Sequence, residues 1–128
     1  MSHHRVLWIL QWVMGLYFVG VGVTHFVLPE GLPEMISWMY DLSDTQHVLA
    51  GSAEILGGLA LILPGLTKMA PALTIWAALG LIVVMVAAAV WHAGREEYTN
   101  IGLNVFNIAL LGYIAYGRAR LAPITSET

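Results

Sequence analysis

The sequence predicts an all-α integral membrane protein: a four-helix bundle with both termini in the cytoplasm and a short interfacial helix between the first two spans. Three observations carry this. Apolar residues make up 59% of the 128 positions and charged residues only 10%, against about 25% charged in a typical soluble domain. Four apolar runs recur at lengths near the ~20 residues that a helix needs to cross a bilayer. The few Lys and Arg residues fall almost entirely in segments that four spans would put on one side. The length suits one domain, so 1–128 is read as a single transmembrane unit.

The spans are expected at about 6–28, 47–64, 70–92 and 101–118. The first follows His3, His4 and Arg5 and is interrupted by Gln11 and His25. It is longer than a signal-peptide core and no small-residue cleavage site follows, so it reads as an uncleaved helix. Ser43-Asp44 is positioned to cap the second helix, and Pro64-Gly65 closes it. Pro71 suits the first turn of the third. The fourth carries Asn104 and Asn107, which lower its hydropathy, but Leu103 to Tyr116 is otherwise apolar and Arg118 follows. Between the first two spans, Pro33-Glu34 and Met35, Ile36, Trp38 and Met39 predict one or two helical turns, with Trp38 and Tyr40 at headgroup depth.

Arg5, Lys68, Arg118 and Arg120 all fall on one side of a four-span topology, and only Arg95 on the other. The positive-inside rule then places both ends in the cytoplasm. No basic run is present, so nucleic acid is not an expected partner; the expected partner is the lipid bilayer. There is no cysteine, which removes disulfides, thiolate nucleophiles and iron–sulfur ligation. No serine-nucleophile motif and no phosphate loop occur, so no catalytic residue is assigned.

Depth can be counted once the topology is set. Glu54 lies seven residues past His47, roughly 10 Å down at 1.5 Å per residue. His25 and His92 end helices one and three, and Asn104 and Asn107 lie about 5–10 Å into helix four. Five polar residues on four helices thus gather in the outer third, above an apolar scaffold. The stripe His47, Ala50, Gly51, Glu54 and Gly58 is small enough for another helix to approach Glu54. An ionisable residue at membrane depth is a candidate functional residue. Its plain alternative is an interhelical hydrogen bond, the favoured reading for Asn104 and Asn107. His25 and His92 can sit in headgroups, and His47 reads as solvated. His25, Glu54 and His92 resemble a metal-ligand set only in composition, and no local spacing supports a metal. A Glu–His pair can relay a proton or hydrogen-bond a quinone at headgroup depth.

Three stretches give the chain a family likeness. They are Gly20-Val-Gly-Val-Thr-His25-Phe-Val-Leu-Pro29, Gly51-Ser-Ala-Glu54-Ile-Leu-Gly57-Gly58-Leu-Ala-Leu-Ile-Leu-Pro64-Gly65, and Ala87-Ala-Ala-Val-Trp-His92. Together with the amide-bearing start of helix four, they resemble the DoxX family of small bacterial and archaeal membrane proteins. The resemblance implies a four-helix bundle in the cell's inner (plasma) membrane, with His25, Glu54 and His92 at the family's polar positions. The family is named for a subunit associated with a quinol-oxidase and thiosulfate:quinone oxidoreductase system, which implies other membrane or redox-complex subunits as partners. The expected function is an accessory subunit whose outer-leaflet pocket binds a quinone-like or lipid-like ligand or a partner helix. The alternatives are a quinone-linked oxidoreductase subunit with Glu54/His proton transfer, and a purely structural assembly factor.

Overall fold

A computed structural model describes residues 1–126; Glu127 and Thr128, the end of the domain expected over 1–128, lie outside the described residues. The chain folds as α1 (His3–Phe26), a 3₁₀ helix (Glu34–Asp41), α2 (Asp44–Thr67), α3 (Leu73–Ala93), α4 (Tyr98–Tyr116) and a π turn (Gly117–Leu121). Among the described residues there is no strand.

The helix ends differ from the sequence expectation for local reasons. α1 starts three residues early because Ser2 Oγ accepts the Arg5 N–H at 3.3 Å. It stops at Phe26, since the residue before Pro29 is driven out of helical geometry. At α2, Ser43 and Gln46 form a reciprocal capping box. α3 begins at Leu73, with Pro71 in the preceding turn. α4 begins at Tyr98, and Arg118 belongs to the π turn rather than to the helix.

Pro64 does not close α2, which runs through it to Thr67. A proline in a helix deletes one N–H and leaves the carbonyl four residues earlier unsatisfied. Here that carbonyl is Ala60 O, and the buried Thr74 hydroxyl of α3 donates to it at 3.3 Å. The next carbonyl, Leu61 O, receives the Gln11 amide of α1 at 2.7 Å. Helix α3 thus replaces the donor that the proline removes.

Each long helix packs on the next in the chain, and α4 returns to α1. α1 and α2 run antiparallel at close approach, glycine facing glycine. A Cβ built on Gly22 would lie 2.8 Å from Gly51 O, and one on Gly15 would lie 2.8 Å from Gly58 O. Only hydrogen fits at such spacings. The core between the helices holds Leu7, Phe18, Leu61, Leu81, Leu111 and Ile114. His3 Nδ1 meets Tyr113 OH at 2.8 Å, so the start of α1 and the end of α4 lie at the same end of the molecule.

All four helices also expose large apolar side chains outward, among them Leu16, Leu56, Val83 and Phe106. Water penalises a continuous apolar exterior of this kind, and hydrocarbon does not. α1 (24 residues), α2 (24) and α3 (21) are each long and apolar enough to cross a membrane. α4, with Asn100, Asn104 and Asn107 in its 19 residues, is not among them.

Candidate functional site

At the end of the molecule where α1 finishes and α2 starts, a cavity of about 340 Å³ opens between α2 and α3 under the 3₁₀ helix. His25, Glu54 and His92 all line it, with Trp38, Trp91 and the apolar Leu49, Val83, Val84 and Ala87. Three of the five candidate residues therefore converge. All three are buried, and His92 is 1% exposed; the histidines are enclosed in the helix array, not splayed into headgroups.

Asn104 and Asn107 do not join them. Both are buried, but their amides point to Met85 Sδ, at 3.6 and 3.8 Å. Asn107 also donates to Tyr17 OH at 3.5 Å. The cavity's lining includes no residue of α4, because α4 packs on the far side of α3. The two amides form a second, smaller polar patch in which Asn104 Oδ1 has no partner.

Glu54 sits one turn from Gly51 and Gly58, where the close approach of α1 brings His25 alongside. His25 Nε2 stands 3.4 Å from Glu54 Oε2. The two stand close without hydrogen-bond geometry, and Oε2 is buried with no hydrogen-bond partner. On its other side, His25 Nδ1 lies 2.9 Å from His47 Nδ1. His47 is thus half-buried and bonded, not a solvated loop residue. Two ring nitrogens at this distance share one proton, so one donates and the other accepts.

A second chain of charges clasps the cavity's roof. Arg95 donates from Nε to Glu97 Oε1 at 2.6 Å and from Nη2 to Asp41 Oδ2 at 2.5 Å. The same Glu97 oxygen accepts from His92 Nδ1 at 3.2 Å. Asp41 ends the 3₁₀ helix, so the clasp ties that helix to the α3–α4 turn. It holds Trp38 edge-on to His92, with ring centroids 4.8 Å apart, while Arg95 lies 4.5 Å over the Trp91 ring. Hydrogen bonds to Glu97 first, and then to Asp41, push the Arg95 guanidinium above its ordinary value. For Glu97 burial is the largest influence and pushes the carboxyl up. The bonds and charges of Arg95 and His92 together outweigh it and hold it below the usual range.

Trp38 was read from sequence only as an interfacial aromatic. It roofs the cavity, and its Nε1–H is buried without an acceptor. The signal was its setting: one Trp in an amphipathic, acidic segment needs an apolar face to lie on. Among the described residues, no group of three His, Cys, Asp or Glu side chains is arranged to hold a metal ion.

The opposite end is not the plain apolar scaffold that the sequence suggested. Gln11 and Arg118 are buried there, 0% and 3% exposed. Arg118 Nε donates to Gln11 Oε1 at 2.6 Å.

Long apolar helices with an apolar exterior and buried polar clusters define a small α-helical membrane protein. A family model described as the DoxX-like family matches residues 9–114, and the chain belongs to that family. No curated protein and no solved structure matches the chain.

Proposed function

We propose that this protein crosses the membrane four times, with both termini cytoplasmic, and serves as an accessory membrane subunit. Its outer-leaflet cavity then takes the polar head of a quinone-like or lipid-like amphiphile. α4 spans beside α3 because its asparagines turn inward while Leu103, Val105 and Phe106 face out. The positions of Arg5, Lys68, Arg118 and Arg120 support the orientation.

The observation that carries the ligand reading is a pair of unmet hydrogen-bonding atoms in one apolar cavity. Trp38 Nε1–H needs an acceptor and Glu54 Oε2 needs a donor. A buried polar atom left unpaired costs about 1–3 kcal/mol. A quinol supplies both partners, one hydroxyl donating to Glu54 Oε2 and an oxygen of the other accepting from Trp38 Nε1–H, and its ring fills the space between. The test is a titration of detergent-purified protein with a short-chain quinol kept reduced, followed by tryptophan quenching. Saturable binding is expected, weakened roughly tenfold in Glu54→Gln and in Trp38→Phe by the loss of one bond each. Absence of saturable binding, or variants that bind like the parent, refutes it.

The row His47–His25–Glu54 favours a second reading, proton transfer in a quinone-linked oxidoreductase subunit. With Glu54 ionised, His25 presents Nε2–H to it and accepts at Nδ1 from His47. A proton entering at His47 and leaving to Glu54 reverses both tautomers once His25 Nε2 and Glu54 Oε2, 3.4 Å apart at rest, close to a hydrogen bond. This reading predicts quinone-dependent turnover in the assembled complex that His47→Ala slows and Glu54→Ala abolishes, with the fold intact. An assembly role without a ligand predicts loss of complex formation alone.

A further inference from the structure

The Arg118 cluster lies at the other end from the cavity just described, and among the described residues no carboxylate answers its charge. The guanidinium is 3% exposed. Its bonding partners are Gln11 Oε1 at 2.6 Å, His4 Nδ1 at 3.2 Å and Ala122 O at 2.8 Å. All three are neutral acceptors; His4 accepts because a guanidinium only donates. The Trp8 ring adds a face contact at 5.2 Å. Nη2, with two N–H groups, is buried and bonds nothing. Apart from Glu127, every Asp and Glu of the chain lies on α2 above its middle or in the two loops at the far end. A buried cation with no counter-ion is costly, and an anion removes most of that cost.

Arg118 also lines an open cavity of about 810 Å³, bounded by Pro71 and Ala72 before α3 and by Arg120, Pro123 and Ser126 of the C-terminal segment. Its position is the end of the spans, where phospholipid phosphates lie. Arg120 and the Ser126 hydroxyl offer further donors beside it. Bringing the free Nη2 edge to this space turns the whole planar guanidinium, so the two Nη1 bonds, to His4 and to Ala122 O, loosen together.

We infer that this cavity binds a phosphate-type oxyanion, held by Arg118 and Arg120, and carried by a phospholipid headgroup or by free phosphate. The planar guanidinium suits two oxygens of such a group at once, a geometry that lysine cannot reproduce.

The test follows the Arg Nε–H signals of ¹⁵N-arginine-labelled protein in dodecyl maltoside. It is titrated with inorganic phosphate, and separately with dihexanoyl phosphatidylglycerol, at constant ionic strength. There are four arginines, and Arg5→Lys, Arg95→Lys and Arg120→Lys assign the Arg118 signal by elimination. A saturable shift of that signal and of the Arg120 signal is expected, with the affinity read from Arg120 lowered roughly tenfold or more in Arg118→Lys. A response to phosphate and lipid alike supports a free anion; a response to the lipid alone supports a headgroup. A response that emerges only in Glu127→Gln supports the site and makes Glu127 its competitor. If the parent and Glu127→Gln show no saturable shift of the Arg118 signal with either probe, the inference is overturned. Undiminished binding by a folded Arg118→Lys protein overturns it as well.

Discussion

Replacing Gly22 by alanine and replacing Gly20 by alanine are the same chemical change two residues apart on α1, and they should act in opposite directions. A Cβ on Gly22 would meet Ile55 Cγ1 at 2.7 Å, Gly51 O at 2.8 Å and Ile55 N at 2.9 Å. Two of these three atoms are backbone, so no side chain can swing aside. Ordinary contact begins near 3.4 Å, so α1 must part from α2 locally by about 0.6 Å. A gap of that size forfeits a quarter to a half of the dispersion energy of each contact it opens. Overpacking of this kind costs about 1–3 kcal/mol. A Cβ on Gly20 meets nothing within 4 Å, and alanine is the better helix former by about 1 kcal/mol. Reversible unfolding by sodium dodecyl sulfate in mixed micelles, read by circular dichroism, measures both. Gly20→Ala should be neutral or stabilising, and Gly22→Ala less stable than it by about 1–3 kcal/mol, because the propensity gain is common to both. Gly22 also lies one turn below His25, so Gly22→Ala should disturb the His25–Glu54 contact and weaken ligand binding. Equal stabilities for the two variants would refute the close α1–α2 packing and, with it, the account of how Glu54 is positioned.

Thr74→Val keeps the shape of a fully buried side chain but strands the Ala60 carbonyl, so it should cost about 1 kcal/mol in the same assay. In Pro64→Ala the helix recovers its own N–H donor to Ala60 O, and the cost of Thr74→Val should shrink; additive effects would show that the two residues are not coupled. The Glu97 carboxyl is held below its ordinary value in the fold, so its contribution is complete above the usual carboxylate range. It is lost as pH falls through the lowered value. Thermal stability should therefore drop in acid with a slope that Glu97→Gln reduces; an unchanged slope would remove the Arg95–Glu97–His92 clasp as the cause. Gln11→Leu removes the acceptor of a buried guanidinium N–H and the donor to Leu61 O. It should destabilise by about 2–4 kcal/mol, more than Thr74→Val. A neutral result would mean that Arg118 is already solvated through its own cavity.

Much of the helical layout was legible in the sequence because bilayer crossing leaves a coarse signal. A long apolar run can satisfy its backbone in hydrocarbon only by forming a helix, and Ser43-Asp44 announced the capping box by side-chain chemistry alone. The end of α2 was misread for a local reason. Pro64 breaks a helix whose freed carbonyl has nowhere to bond, and the donor that rescues it, Thr74, comes from another helix. The candidate site divides in the same way. His25, Glu54 and His92 could be placed near one depth by counting residues, because depth along a helix is a property of the sequence. Which of the five polar residues share a cavity depends on the order of helices around the array. That order set Asn104 and Asn107 against Met85, apart from the others.

Composition and span length by themselves determined that this chain is an α-helical membrane protein with polar residues buried among apolar ones. Only the tertiary structure decided what those residues meet. Trp38 reaches His92 because Arg95 and Asp41, 54 positions apart in the chain, tie the 3₁₀ helix down. Arg118, read along the chain only as one of the basic residues that set the orientation, is buried because the π turn and Gln11, 107 positions away, draw it between helices. Side-chain pairing across such separations is set by packing, and packing leaves no periodic trace in a sequence that is apolar nearly everywhere.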